Sequence, residues 1–237
     1  MAMLMSNPNA LILALIGGII PSLFWLWFWL REDKEKPEPK GVLLICFIIG
    51  MASVIFILPI EKLIQSSTSS NEWQIIGWAS VEELIKYFAM ILILFRTKYI
   101  EQPIDWPIYM ITTALGFAAL ENTMFLIKPI LLDQTTVSLL TGQLRFLGST
   151  LLHTVSSGIV GIAMGLSFYM EKSNKRLYLI MGLVFAIILH SAFNFSIIKN
   201  SGSDFLQVFA FLWVATIINL LLFEKLRRMS NTDNIVQ

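Results

Sequence analysis

Long apolar runs alternate with short polar breaks along the whole chain. Runs of about 20 residues, the length at which a helix spans a hydrocarbon core of about 30 Å, fall near residues 9–30, 41–60, 74–95, 107–127, 143–169, 177–198 and 205–223. The breaks between them read "REDKEKPEPK", "QSSTSSNE", "RTKYIEQPIDWP", "KPILLDQTTVS", "EKSNKR" and "KNSGSD", rich in charge, Pro, Ser and Gly. None is long enough to form a soluble domain. The pattern predicts an all-α, polytopic bundle of about seven transmembrane helices. It forms a single transmembrane domain over residues 1–237, with a core expected near 74–198 and a short cytoplasmic tail at 224–237. No Lys or Arg precedes the first run, so it lacks the basic flank of a cleavable signal peptide and reads as a retained span. Gly17, Gly18 and Pro21 are placed to kink it.

The basic residues of the short loops set the orientation. Arg31, Lys34, Lys36, Lys40, Arg96, Lys98, Lys172, Lys175, Arg176, Lys225, Arg227 and Arg228 fall on one side, against Lys62, Lys128 and Lys199 on the other. By the positive-inside rule the N-terminus faces outward and the C-terminus is cytoplasmic, which an odd number of spans satisfies. Trp73, Tyr99, Trp106, Tyr109 and Tyr178 stand near span ends, where interfacial aromatic anchors belong.

Composition agrees with a membrane protein. The chain of 237 residues is 56% hydrophobic and 14% charged, a balance that water-soluble domains of this size do not show. A net charge of +1 without a basic face argues for no nucleic-acid partner. The single cysteine, Cys46, sits inside an apolar run, excludes an intramolecular disulfide and has the character of a small core residue.

What changes the picture is the set of polar groups inside the spans. A charged side chain near the middle of a membrane helix costs about 2.5–3.5 kcal/mol on insertion scales, so such residues mark pairs, pathways or sites. Glu82, Glu83, Lys86, Glu121, Arg145, His153 and His190 all fall within predicted spans, and they include both histidines of the chain. Glu82 and Lys86, four apart, are spaced for a structural ion pair. That pair leaves Glu83 unexplained, since adjacent helical residues project about 100° apart. Measured from the outer end of each span at about 1.5 Å per residue, Glu83, Glu121, His153 and His190 lie roughly 9–15 Å deep. Four helices thus offer an acid or an imidazole at one level, which predicts a hydrated cavity open to the outside. Asn194 shares the helix face of His190 and can orient the imidazole or hold a carbonyl. Arg145, about two turns above His153, is placed either to bind substrate or to reach the headgroups.

Two other features carry less. Gly158, Gly161 and Gly165 recur at the spacing of a helix-packing face. Ser156 and Ser157 have neither a buried Asp partner nor a GxSxG elbow, which argues against a serine nucleophile. The carboxylates and imidazoles suit three chemistries: activating water, holding a metal, or relaying protons in a transporter. No HExxH is present, and two His with one Glu around zinc remain a chemically valid set. Spacing does not choose among them.

The motifs themselves point further. "EELIK" at 82–86, "FAALEN" at 117–122, the histidine of "RFLGSTLLHTVSSGIVGIAMG" and "HSAFN" at 190–194 resemble, in order, the four motifs of the PrsW-type intramembrane proteases. That family is distantly related to the type II CAAX prenyl endopeptidases and the bacterial immunity-type membrane proteases. The resemblance implies a multi-pass protease of a prokaryotic plasma membrane that cuts membrane-anchored proteins on the extracytoplasmic side, as in the first cut of an anti-sigma factor. It also implies a catalytic set of Glu82, Glu83, Glu121, His153 and His190, with Asn194 in support and Arg145 as a substrate contact. Glu83 or Glu121 is then the expected general base. If the site holds zinc, Glu83, Glu121, His153 and His190 are the expected ligands. The partners implied are a membrane protein or peptide substrate and the lipid bilayer. The alternatives are a proton-coupled transporter, against which the absence of similar halves counts, and a non-catalytic membrane binding protein.

Overall fold

A computed structural model of the chain describes residues 8–31, 36–95, 97–132, 134, 145–199 and 205–232. These form seven α-helices: α1 (Pro8–Leu30), α2 (Lys40–Ser67), α3 (Asn71–Leu94), α4 (Asp105–Leu131), α5 (Thr150–Leu166), α6 (Lys172–Lys199) and α7 (Phe205–Thr232). A π-helical turn, Arg145–Ser149, leads into α5. No strand occurs among the described residues. Six of the helices are long and apolar enough to cross a membrane. The seventh, α3, carries Glu82, Glu83 and Lys86 and buries all three against its neighbours. The chain is a polytopic helical membrane protein.

Helix ends depart from the apolar runs where hydrogen bonding, and not hydropathy, decides them. α2 runs seven residues beyond Ile60 to Ser67, carrying Glu61, Lys62 and Gln65 on its last turns. α3 restarts at once behind Ser70, whose hydroxyl accepts from the Trp73 N–H. α7 continues from residue 223 to Thr232, helped by Glu224, which bridges Arg227 and Arg228 one turn further on. α5 is shorter than its run, because a turn at Ser167–Met170 closes on the Ala163, Gly165 and Ser167 carbonyls.

α4 occupies the middle of the bundle, packed against α1, α2 and α5 and touching α3; α5 packs in turn on α6 and α7, and α3 joins α2 to α6. In lipid, helices associate through close van der Waals contact and small residues, since no hydrophobic gain separates protein from acyl chains. A Cβ at Gly50 would run into the Thr113 carbonyl, and one at Gly116 into the Phe47 carbonyl, so α2 and α4 meet backbone to backbone. The Gly158, Gly161 and Gly165 stripe does the same work on α5, against Ile111 and Pro107 of α4, Pro103 just before it, and Asn219 and Leu226 of α7. Phe56, Leu92 and Leu221 are each more than 60% exposed, the outward apolar surface that a bilayer covers.

One anchor expectation is corrected. Tyr109 is fully buried, and its hydroxyl donates to Glu38 of the α1–α2 connection; Trp73 and Tyr99 remain exposed. At the same end of the bundle Lys36 pairs with Glu101 in solvent, and that hydrogen bond raises the Lys36 ammonium above its usual value.

Candidate active site

Four helices deliver the polar residues to one place. Glu82 and Glu83 come from α3, Glu121 from α4, His153 from α5 and His190 from α6. Their side chains close into a single network in which almost every distance is a hydrogen bond.

Glu83 is its innermost member, with no exposed surface. Its Oε1 lies 2.6 Å from Lys86 Nζ, 2.9 Å from Ser156 Oγ and 2.8 Å from His190 Nδ1, and its Oε2 lies 2.8 Å from Ser157 Oγ. All of these groups donate to a carboxylate that can only accept. Burying two charges is tolerable when they pair and the remaining lone pairs are filled, which describes Glu83 with Lys86. The expected Glu82–Lys86 pair is therefore replaced by Glu83–Lys86, one residue shorter on the same helix.

The same logic assigns the imidazoles. Lys86 Nζ is also 3.0 Å from His153 Nδ1, and an ammonium has only protons to give, so Nδ1 accepts. The ring hydrogen then sits on Nε2, 2.9 Å from Glu121 Oε2, which accepts it. His190 is the opposite case: Nδ1–H donates to Glu83, leaving the Nε2 lone pair turned toward Glu82 Oε2 at 3.7 Å. The two rings stand nearly perpendicular, with centroids 5.1 Å apart, and Phe117 packs on His153 and beneath the Lys86 ammonium.

Above this network lies a cavity of about 720 Å³ whose wall includes Glu82, Glu121, His153, His190 and Asn194. Its apolar lining comes from Val54, Ile57, Phe117, Leu152, Phe193 and Phe209 among others, and its rim from Glu61, Lys62 and Gln65 on the extended end of α2. Glu83 lies behind the wall. Glu121 is the more accessible of the paired carboxylates, with 21% of its side chain exposed, while Glu82 lies 3.7–3.9 Å from both histidines.

The donor set fits a divalent cation. Glu82, His153 and His190 each bring a ligand atom within 4.8 Å of the others, and two His with one Glu is a catalytic zinc set, which His153 completes when Lys86 Nζ gives up its Nδ1. Glu82 Oε2 is buried with no hydrogen-bond partner, an acceptor facing another acceptor, His190 Nε2. Such a pair is built to receive a cation or a donating water. The geometry draws this set differently from the sequence expectation: Glu82 takes the place of Glu83, whose oxygens are filled by Lys86, His190 and two serines, and Glu121 stands beyond His153.

Asn194 lines the cavity one turn from His190, half-buried. Asn122 points away and ties α4 to α5 through Thr150 Oγ1 at 2.8 Å. The Arg145 backbone opens the π-helical turn, and its side chain lies outside the described residues. Sequence reasoning passed over Ser156 and Ser157 as partners of Glu83. The signal was their spacing, three and four residues after His153, which puts them on the same face of α5.

A helical membrane bundle with carboxylates and imidazoles converging on an open, mostly apolar cavity defines a membrane-embedded protein with a buried acid-and-imidazole centre. Comparison with known proteins makes this specific. Residues 38–221 match the family described as PrsW family intramembrane metalloprotease. The chain is 26% identical over 222 residues to the protease PrsW of Clostridioides difficile (strain 630), covering 90% of each chain. It is 27% identical over 218 residues to that of Oceanobacillus iheyensis, covering 87% of this chain and 94% of the other. With the protease PrsW of Bacillus subtilis (strain 168) it shares 24% over 208 residues, 83% and 89% of the two chains. No solved structure matches. The chain belongs to the PrsW family and is a multi-pass bacterial membrane peptidase, which sets aside the transporter and binder alternatives.

Proposed function

We propose that this peptidase cuts membrane-anchored protein substrates at the extracytoplasmic face of the membrane, with an anti-sigma factor as the type of substrate, using water activated by Glu121. The observation that carries the reading is the convergence of Glu82, Glu121, His153 and His190 on one cavity wall. The cavity opens at the end of the bundle that holds the α2–α3 connection and the far ends of α4 and α6. Basic-residue asymmetry makes that end the outer one.

Amide hydrolysis needs a nucleophile, a polarised carbonyl and a proton for the leaving amine. Glu121 lines the cavity with its carboxylate partly exposed, where it can accept from water, while His153 Nε2–H donates to its Oε2. The proton taken from water passes to the leaving nitrogen on the same carboxylate. The Asn194 amide lines the wall where it can donate to the oxyanion as it forms. Glu83 does not meet substrate; it orients His190. Glu82 Oε2 and His190 Nε2 would hold zinc, joined by His153 Nδ1 once Lys86 turns away from it, and zinc when bound polarises a carbonyl and makes water more acidic. The apolar lining suits an extended substrate segment drawn down from the membrane surface.

The test is cleavage of a tagged single-span peptide with an extracytoplasmic stub by purified protein in liposomes, for wild type, Glu121→Gln and His190→Ala, each with and without a zinc chelator. Cutting by the wild type and not by the variants supports the reading. Wild-type protein that stays folded yet cuts no member of a broad peptide pool counts against it.

A further inference from the structure

We propose that Ser156 and Ser157 are positioning residues of the hydrolytic centre. Their hydroxyls lock the Glu83 carboxylate so that it holds His190 in the one tautomer that turns Nε2 to the cavity. This rests on the protease reading above only for its kinetic consequence; the tautomer itself is independent of it.

Most helical hydroxyls in this bundle do something else. Thr112, Thr113, Thr123, Thr154, Thr216, Ser196 and Ser230 each donate to the carbonyl four residues earlier, the ordinary habit of Ser and Thr in membrane helices. Ser156 and Ser157, both fully buried, depart from it. Ser157 donates to Glu83 Oε2 at 2.8 Å. Ser156 is 2.9 Å from Glu83 Oε1 and only 3.5 Å from the His153 carbonyl, so its single proton goes to the carboxylate.

The two hydroxyls are not equivalent. Oε1 already has Lys86 and His190, whereas Ser157 is the one donor to Oε2 among the described residues. The last torsion of a glutamate is broad and roughly two-fold, so nothing intrinsic fixes the carboxylate plane. Fastening both oxygens from α5 fixes it, and with it the line along which Oε1 meets His190 Nδ1. If the carboxylate turns, Nδ1–H loses its acceptor and the imidazole is free to protonate at Nε2, which would put a hydrogen where the cavity needs a lone pair. α5 thus serves the site twice, with His153 on the wall and the serines one turn behind it.

The experiment compares purified full-length wild type, Ser156→Ala, Ser157→Ala, Glu83→Gln and the double variant Ser157→Ala/Glu83→Gln. Cleavage in liposomes gives kcat and KM. Nitrogen NMR of histidine-labelled protein in micelles gives the tautomer of His190, assigned with a His153→Gln sample because the chain has two histidines. Ser157→Ala is expected to lower kcat about 10–100-fold, the usual cost of an outer partner, with KM nearly unchanged. Ser156→Ala should cost less. The His190 signal should shift from Nδ1-protonated to a mixture in Ser157→Ala, and Ser157→Ala should cost little more once Glu83 is already Gln. An unchanged His190 tautomer in Ser157→Ala, or losses that simply add in the double variant, would overturn the proposal. If the wild type cuts nothing, the protease reading fails and the NMR result still decides the positioning role.

Discussion

His190 Nδ1 lies 2.8 Å from Glu83 Oε1, and the same oxygen lies 2.6 Å from Lys86 Nζ. One buried carboxylate therefore orients an imidazole and neutralises an ammonium, and the two tasks separate in a variant series. Glu83→Gln strands Lys86 as an uncompensated buried charge, which costs about 3–5 kcal/mol. The melting temperature should fall with activity. Glu83→Gln with Lys86→Met, which removes both charges, should recover much of the stability but leave kcat at the lowered level of Glu83→Gln, as thermal unfolding and cleavage assays would show together.

Glu121→Gln should behave in the opposite way. Its carboxylate is partly exposed on the cavity wall, so the melting temperature should hardly move while kcat falls about 10²–10⁴-fold, the contribution of a positioned base. Equal losses of stability for Glu121→Gln and Glu83→Gln would contradict the division of roles.

Metal binding gives a third check. Titrated with zinc or cobalt, the metal-stripped protein should take up the cation through Glu82, His153 and His190. Glu82→Gln and His190→Ala should each weaken binding by more than about 100-fold, whereas Glu121→Gln, which changes the partner of His153 Nε2–H, should cost only the about 10–100-fold typical of an outer partner. Calorimetry reads this without any substrate.

Packing can be tested away from the site. Gly50→Ala or Gly116→Ala drives a methyl into a carbonyl of the facing helix, and overpacking of this kind costs about 1–3 kcal/mol. Gly41→Ala, with nothing within 4 Å of the added Cβ, should leave the unfolding temperature unchanged.

Lys36 offers a pH-dependent control. Its hydrogen bond to Glu101 raises its folded pKa above the unfolded one, so the stability that the Lys36 ammonium contributes is present at neutral pH and is lost as pH rises through the raised value. Both side chains are more than half exposed, so the contribution is under about 1 kcal/mol. Lys36→Ala should change neither the unfolding temperature at neutral pH nor cleavage.

Much of this architecture was legible beforehand, for a physical reason: a bilayer demands about 20 apolar residues per span, and charges that break the rule stand out. That reasoning found the seven helices of the described residues and the four among them that carry the acids and imidazoles of the site. It did not separate Glu82 from Glu83. Adjacent residues differ by a rotation of about 100°, and only the packing of α3 between α2 and α6 shows that Glu82 meets the cavity while Glu83 meets α5. Helix ends were misjudged at Glu61 and Glu224 because hydropathy marks where lipid stops, whereas a helix stops where its carbonyls find other partners. The serines were weighed as nucleophiles, a question about their oxygens, when their protons are what the fold uses.

The burial of Glu82, Glu83 and Lys86 in α3 also bears on how the protein is made. A segment with three ionisable groups in its centre partitions poorly into lipid alone, and its main partners from other helices, Ser156, Ser157, His153 and His190, are translated 67 to 107 residues later. Until α5 and α6 leave the ribosome, α3 has only its own Glu83–Lys86 pair to offset these charges, and the rest of their complement arrives with His153, the two serines and His190.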